Sequence, residues 1–125
     1  MVELRRDLER DDVAIAVISN QVVGFVVSRR KSPSIVEIRW LAAAQRVQQR
    51  GIGTALMAHV HERARTAGAR LLEVKTLDTS VPSADYAATR LFYEKRGFEL
   101  LESIDPFPGW EPGNPCAIYV KILEP

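Results

Sequence analysis

The chain holds 125 residues, 46% of them hydrophobic and 26% charged, with a formal net charge of +1. That length suits one domain, 1–125, large enough to bury a core without staples. The near-neutral balance argues against broad capture of nucleic acid or of an acidic membrane surface.

Cys116 is the lone cysteine, so no internal disulfide can form, and a cytoplasmic setting fits. The first residues, MVELRRDLERDD, lack the apolar stretch of a signal peptide. No apolar run reaches the length of a membrane-spanning helix. Residues 1–12 read as a polar lead-in or a short helix. Residues 13–19 and 22–28 are β-branched and apolar, and read as a hairpin turning at Asn20-Gln21. Residues 29–34, Arg-Arg-Lys-Ser-Pro-Ser, form a polar connection, and 35–43 a third strand.

The period then changes. Ile52, Leu56, Val60, Ala64 and Ala67 recur at helical spacing, and Gly68 sits where that helix would end. A compact strand follows at 71–77, then a loop containing Pro82. Ala84, Ala87, Ala88, Leu91, Phe92 and Lys95 return to helical spacing, closed by Gly97. A short strand at 98–101, a Pro/Gly-rich loop at 102–115 and a last strand at 116–123 complete the chain. The order β-β-β-α-β-α-β-β predicts an α/β (α+β mixed) fold, a mixed sheet flanked by helices.

The sharpest local feature is the passage from the third strand into the first long helix, through Gln48-x-x-Gly51-x-Gly53. Glycines permit unusual dihedrals and close approach of a ligand to the backbone. The first N–H groups of a helix lack internal partners and carry partial positive charge, which suits phosphate. Gln48, Gln49 and Arg50 add donors. The bare spacing also fits a helix start whose glycines serve only packing. A dinucleotide turn is a poor match, because Leu56 stands where its third glycine belongs and three strands precede the turn.

Val47-Gln48-Gln49-Arg50-Gly51-Ile52-Gly53-Thr54-Ala55-Leu56-Met57 resembles motif A of the GNAT superfamily of N-acetyltransferases. Ala88-Thr89-Arg90-Leu91-Phe92-Tyr93-Glu94-Lys95-Arg96-Gly97-Phe98 is similar to that family's late helix, which ends Tyr-x-x-x-Gly-Phe. The two blocks stand in the family's order, and the resemblance covers roughly 13–123. It implies a GNAT-like acyl-CoA N-acyltransferase fold, with a twisted sheet opening between strands 35–43 and 71–77. Acetyl-CoA would be the acyl donor and a primary amine the acceptor. Leu41, Ala42 and Ala43 would offer backbone groups to the pantetheine arm. Gln48, Gln49, Arg50, Gly51, Ile52, Gly53 and Thr54 would cradle the pyrophosphate.

The resemblance also implies direct attack of the amine on the thioester, helped by proximity. Tyr93 matches the position of the acid that protonates the leaving thiolate in many members; otherwise it is a half-buried helix tyrosine. Glu37 is the candidate base, sharing a strand side with Arg39, Leu41 and Ala43 by the period of two. A solvated glutamate paired to Arg39 is the plain alternative, and Glu73 and Asp78 are weaker candidates. His59 and His61 lie two apart on a helix and cannot share a face, so no metal site is expected. Cys116 and Trp40 read as core residues, and Arg29, Arg30 and Lys31 as a solvated turn, reach to the CoA phosphates being the alternative. Trp110, in the 102–115 loop, either covers the acceptor pocket or packs on the core.

Two departures from the family stand out. Tyr86 occupies the place of an asparagine that contacts the cofactor arm. The family also places a strand and one or two helices ahead of the hairpin, where this sequence has 12 residues before Val13. An uncovered sheet edge there would invite a homodimer. A non-catalytic acyl-CoA-binding or sensing module is the alternative reading.

Overall fold

A computed structural model describes residues 2–6, 11–44 and 50–125, the first group by backbone alone. Among the described residues seven strands and two helices follow in the order β-β-β-β-α-β-α-β-β. The chain divides into two compact units, Met1–Leu72 with Leu123–Pro125, and Glu73–Ile122.

The first unit contains β1 (Val2–Arg6), β2 (Asp11–Ile18), β3 (Gln21–Ser32), β4 (Ile35–Ala43) and α1 (Ile52–Thr66). Each strand pairs antiparallel with the next. β1 corrects the reading of 1–12 as a lead-in or helix. Val2 and Leu4 alternate with Glu3 and Arg5, and the strand lies along β2 from Val2↔Ala16 to Arg6↔Asp12. The edge of β2 is therefore paired, which removes the premise on which a homodimer was expected. β3 also runs further than its composition suggests. Arg29 and Arg30 lie within the strand, and the turn to β4 falls at Pro33 and Ser34.

Two extra residues interrupt the β3–β4 ladder. Val27 pairs with Trp40 and Ser28 with Ile38, so Arg39 is a bulge; Arg30 pairs with Val36 and Ser32 with Ile35, so Lys31 is another. A bulge breaks the two-residue alternation. Residues opposite one another share a face. One face thus carries the rows Asp11, Arg29, Glu37; Val13, Val27, Trp40; and Ile15, Phe25, Ala42. Leu41 and Ala43 belong with Val26 and Gly24 on the other face. Glu37 consequently shares its side with Trp40 and Ala42, not with Leu41 and Ala43. Trp40 is no core residue, being 67% exposed.

α1 crosses the face of Val26 and Gly24 and buries Ile52, Leu56, Met57, Val60 and Ala64. It ends at Gly68 (φ 87°), where Ala67 N–H donates to Arg63 O and Ala69 N–H to Ala64 O. Arg30 reinforces that end from β3 by donating through Nη2 to the carbonyls of Pro33 and Ala67. A cation is well placed against the negative end of a helix. It is therefore part of a strand-to-helix clamp rather than a solvated turn.

The second unit contains most of β5 (Leu71–Leu77), then α2 (Ala84–Lys95), β6 (Glu99–Ile104) and β7 (Cys116–Ile122). Ser83 caps α2, accepting from Tyr86 N–H, and Asp85 adds an acidic residue to its first turn, as helix starts prefer. Gly97 (φ 92°) ends it, and Phe98 N–H donates back to Tyr93 O. The face of α2 differs from its apolar spacing. Ala84, Ala87, Ala88 and Leu91 are exposed, whereas Arg90 and Tyr93 are buried. β6 and β7 pair antiparallel with Leu101 as a bulge. Cys116, Ala117, Ile118 and Tyr119 are all buried, so both faces of β7 are covered; Cys116 is a core residue as its setting suggested.

Candidate functional site

The first unit holds the phosphate-attracting end of α1. Gly51 is the N-cap in a left-handed conformation, φ 77° and ψ 17°. A Cβ there would meet nothing within 4 Å, so the demand for glycine is conformational rather than steric. Among the described residues no side chain caps the helix, and its first turn carries no acidic residue. No acidic side chain of that turn neutralises the positive end of the helix, which suits an anion such as a pyrophosphate. Ile52 is buried beneath this end, while Arg50, Gly51 and Thr54 are exposed and Gly53 half-exposed. Gln48 and Gln49 lie outside the described residues. Leu41, Ala42 and Ala43 are the last three residues of β4, half-exposed or exposed, and Ala44 N–H prolongs the ladder by donating to Val23 O at 2.7 Å.

Gly24 positions this end. A Cβ on it would lie 2.8 Å from Ile52 Cγ2, 2.9 Å from the carbonyl oxygen of Ala42 and 3.2 Å from Leu56 Cδ1. Only a hydrogen at this place on β3 lets the first turn of α1 settle so close to the sheet. The sequence carries a signal for it, a lone glycine inside the β-branched run Val22-Val23-Gly24-Phe25-Val26, which marks close backbone approach.

Glu37 is buried on the face opposite α1, across from Arg29. Arg29 in turn donates to both oxygens of Asp11, at 2.6 and 3.3 Å. The three side chains form a charged row beside the apolar rows of Trp40 and Phe25. Arg39, the partner suggested for Glu37 by sequence, is the bulged residue, and Arg29 stands opposite Glu37 instead.

The second unit holds Tyr93. Its ring is buried, edge-on to Phe92 at 5.5 Å and to Phe98 at 5.4 Å. Burial pushes the phenol up to about 12, because a low-dielectric setting disfavours the phenolate. Tyr93 thus stays a proton donor throughout the neutral range. Arg90, buried one turn earlier, anchors the helix by donating through Nη1 to Leu77 O at 2.6 Å, at the end of β5. A buried arginine inside a helix of apolar spacing gave no sequence signal of this role.

The weaker base candidates are otherwise engaged. Asp78 accepts from Ser103 Oγ at 2.6 Å and from Ser80 N–H at 3.1 Å. The Ser103 bond, then those to Ser80, hold its carboxyl below the usual range, so it is a poor proton acceptor. Glu73 stands 3.8 Å from Lys75 Nζ. The loop after β6 is braced internally: Trp110 packs edge-on to Phe107 at 5.8 Å, Lys75 lies over the Phe107 ring, and Asp105 accepts from Gly113 N–H. Among the described residues no group of three or more His, Cys, Asp and Glu could hold a metal ion, and no helix is long and apolar enough to cross a membrane.

Comparison with known proteins adds to this geometry. A family model described as an acetyltransferase (GNAT) domain matches residues 9–100. The chain is 29% identical over 98 residues to an uncharacterized N-acetyltransferase, YvbK, of Bacillus subtilis (strain 168). That match covers 78% of this chain but 59% of the relative, so the chain spans less than two thirds of the relative's length. Among solved structures, one described as a GNAT-family acetyltransferase of Desulfovibrio desulfuricans superposes with a TM-score of 0.81 at 26% identity. The superposition covers 92% of this chain and 71% of that one. A GNAT acetyltransferase of Elizabethkingia anophelis, solved with acetyl-CoA bound, gives a TM-score of 0.76 at 23% identity, covering 93% and 78%. The mixed α/β architecture is the one these proteins share.

Proposed function

Because this chain belongs to the GNAT acetyltransferase family, we propose that it transfers the acetyl group of acetyl-CoA to a primary amine. The family match runs through both compact units, which supports their acting as one catalytic domain. The observation that carries the reading is the first turn of α1, left-handed at Gly51, with no side-chain cap among the described residues and no acidic residue of its own.

In this reading residues 50–54 bind the cosubstrate's pyrophosphate, and Leu41, Ala42 and Ala43 supply backbone groups to the pantetheine arm. Gln48 and Gln49 are assigned to the same cradle. Acetyl-CoA supplies an activated thioester. Glu37 takes a proton from the incoming ammonium, directly or through water, leaving a nucleophilic amine. The N–C bond forms as the C–S bond breaks, the Tyr93 phenol gives its proton to the departing sulfur, and the surplus proton on the new amide nitrogen returns through water to restore the phenol. Its burial keeps the phenol protonated at neutral pH, so the proton is in place for that transfer. The reaction needs no redox partner, and its atoms balance as amide plus CoA thiol.

A cytoplasmic setting belongs to the same reading and is supported by the single buried thiol. Self-association into a homodimer is also part of it, supported by the exposed apolar side chains of Leu91, Leu100 and Leu101 in the second unit; a concentration-independent monomer mass on sedimentation would remove it. The activity is tested by following CoA release from acetyl-CoA across a panel of amines. Calorimetric binding of CoA without release for any amine would leave a binding module instead, and no binding at all would refute the cofactor assignment.

A further inference from the structure

A small cavity lies within the first unit, on the α1 side of the sheet, with a volume of about 90 Å3. Ala14, Val26, Val36 and Val60 form its apolar floor. Asp12, Ser28, Arg30, His59 and Arg63 supply its polar groups. None of these residues belongs to the proposed cofactor end of α1 or to the Glu37 face. We propose that this groove binds a small aliphatic monocarboxylate, its carboxylate held by Arg63, Arg30 and His59 and its short tail lying on the floor.

Three observations point to that class of ligand. First, His59 Nε2 is buried and has no hydrogen-bond partner among the described residues. Leaving such an atom unpaired costs about 1–3 kcal/mol, and native structures seldom carry the cost without a use. Burial first, then the Arg63 guanidinium, lowers the imidazole's basicity, so it meets a ligand as a neutral group. Second, the arginines are prearranged. Arg30 spends Nε and Nη2 on the carbonyls of Ser32, Pro33 and Ala67, which fixes the plane of its guanidinium and leaves Nη1 outside those bonds. Arg63 reaches Asp12 only at 3.9 Å, too long for a hydrogen bond.

Third, the charge and size select. Two guanidiniums against one carboxylate leave the lining at +1, with His59 neutral, which matches a monoanion. A phosphate ester of higher charge would be repelled by Asp12, and a nucleotide does not fit a cavity of this volume. The floor of Ala and Val side chains favours a few methyl or methylene groups over a polar tail.

The test is an NMR titration of the full chain with isobutyrate, using isobutyramide as the uncharged isostere. The expected result is saturable shifts at Ala14, Val26 and Val60, with isobutyramide binding at least tenfold more weakly. Arg63→Met and His59→Phe should each weaken isobutyrate about tenfold, the loss of one charge-assisted or buried hydrogen bond. A thermal melt of each variant reports whether it is folded; if either is not, Arg63→Gln and His59→Leu take its place with the same expectation. Shifts confined to residues 50–54, equal binding of the amide, or an unaltered affinity in folded variants would each overturn the proposal.

Discussion

Replacing Gly24 by alanine tests the architecture beneath the proposed cofactor end of α1. The added methyl would sit 2.8 Å from Ile52 Cγ2 and 2.9 Å from the Ala42 carbonyl oxygen. The isoleucine side chain is itself buried, and the carbonyl belongs to a paired strand, so neither yields easily. Overpacking of this kind costs about 1–3 kcal/mol, against which reduced freedom of the unfolded chain returns about 0.4–1 kcal/mol. The net loss should be about 1–2 kcal/mol, lowering Tm by roughly 4–8 °C for a chain of this size. The same displacement lifts the first turn of α1 away from its seat, so affinity for CoA should fall on the order of tenfold. Thermal denaturation followed by circular dichroism and calorimetry with free CoA measure the two effects. A wild-type Tm together with wild-type CoA affinity would refute the claim that Gly24 seats the helix.

Gly51→Ala should lose about 1–2 kcal/mol through its left-handed backbone alone, and Gly51→Asn should recover part of both stability and CoA affinity; equal behaviour of the two variants in melting and binding would contradict this. Tyr93→Phe should lower kcat on the order of 100-fold with acetyl-CoA affinity unchanged, and an unaltered kcat removes Tyr93 from proton transfer. The raised phenol also makes a stability prediction. Its folded value of about 12 lies above the ordinary 10.0, so its contribution is intact below 10 and is lost as pH rises through about 12; denaturant melts across that window should show the decline in the wild type and less of it in Tyr93→Phe. Arg90→Met should cost about 1–3 kcal/mol by leaving Leu77 O without its donor, read as a fall in urea midpoint.

The elements with a strong period were legible from residues alone. β4 and β5 fall at 35–43 and 71–77 as expected, because β-branched runs bounded by polar turns leave little choice. Gly51 was legible because a left-handed helix start tolerates few other residues. What escaped the sequence depends on partners distant along the chain. β1 has only Val2 and Leu4 as apolar residues and is defined by pairing with β2. The bulge at Arg39 has no local mark, yet it decides which way Trp40 and Leu41 point. α2 hides Arg90 and exposes Ala84, Ala87, Ala88 and Leu91, since a carbonyl at the end of β5 needs a donor more than those alanines need cover. Tyr93 could be proposed as the acid by motif, and the glycine within β3 marked a close approach, but that α1 is the element it seats was visible only in the structure.

The bulge at Arg39 also partitions β4 as an inheritable object. Ahead of it, residues 35–38 are in one phase with β3; behind it, residues 40–43 are in the opposite phase. Side chains offered by the front half can therefore be exchanged without altering how the rear half meets α1. Deleting that single residue would leave Trp40 opposite Val27 and Leu41 opposite Val26 while restoring the plain two-residue alternation, so it would remove the local kink and not the facing of either half. A length change of one residue is therefore easier to accommodate at 39 than at the paired positions on either side of it.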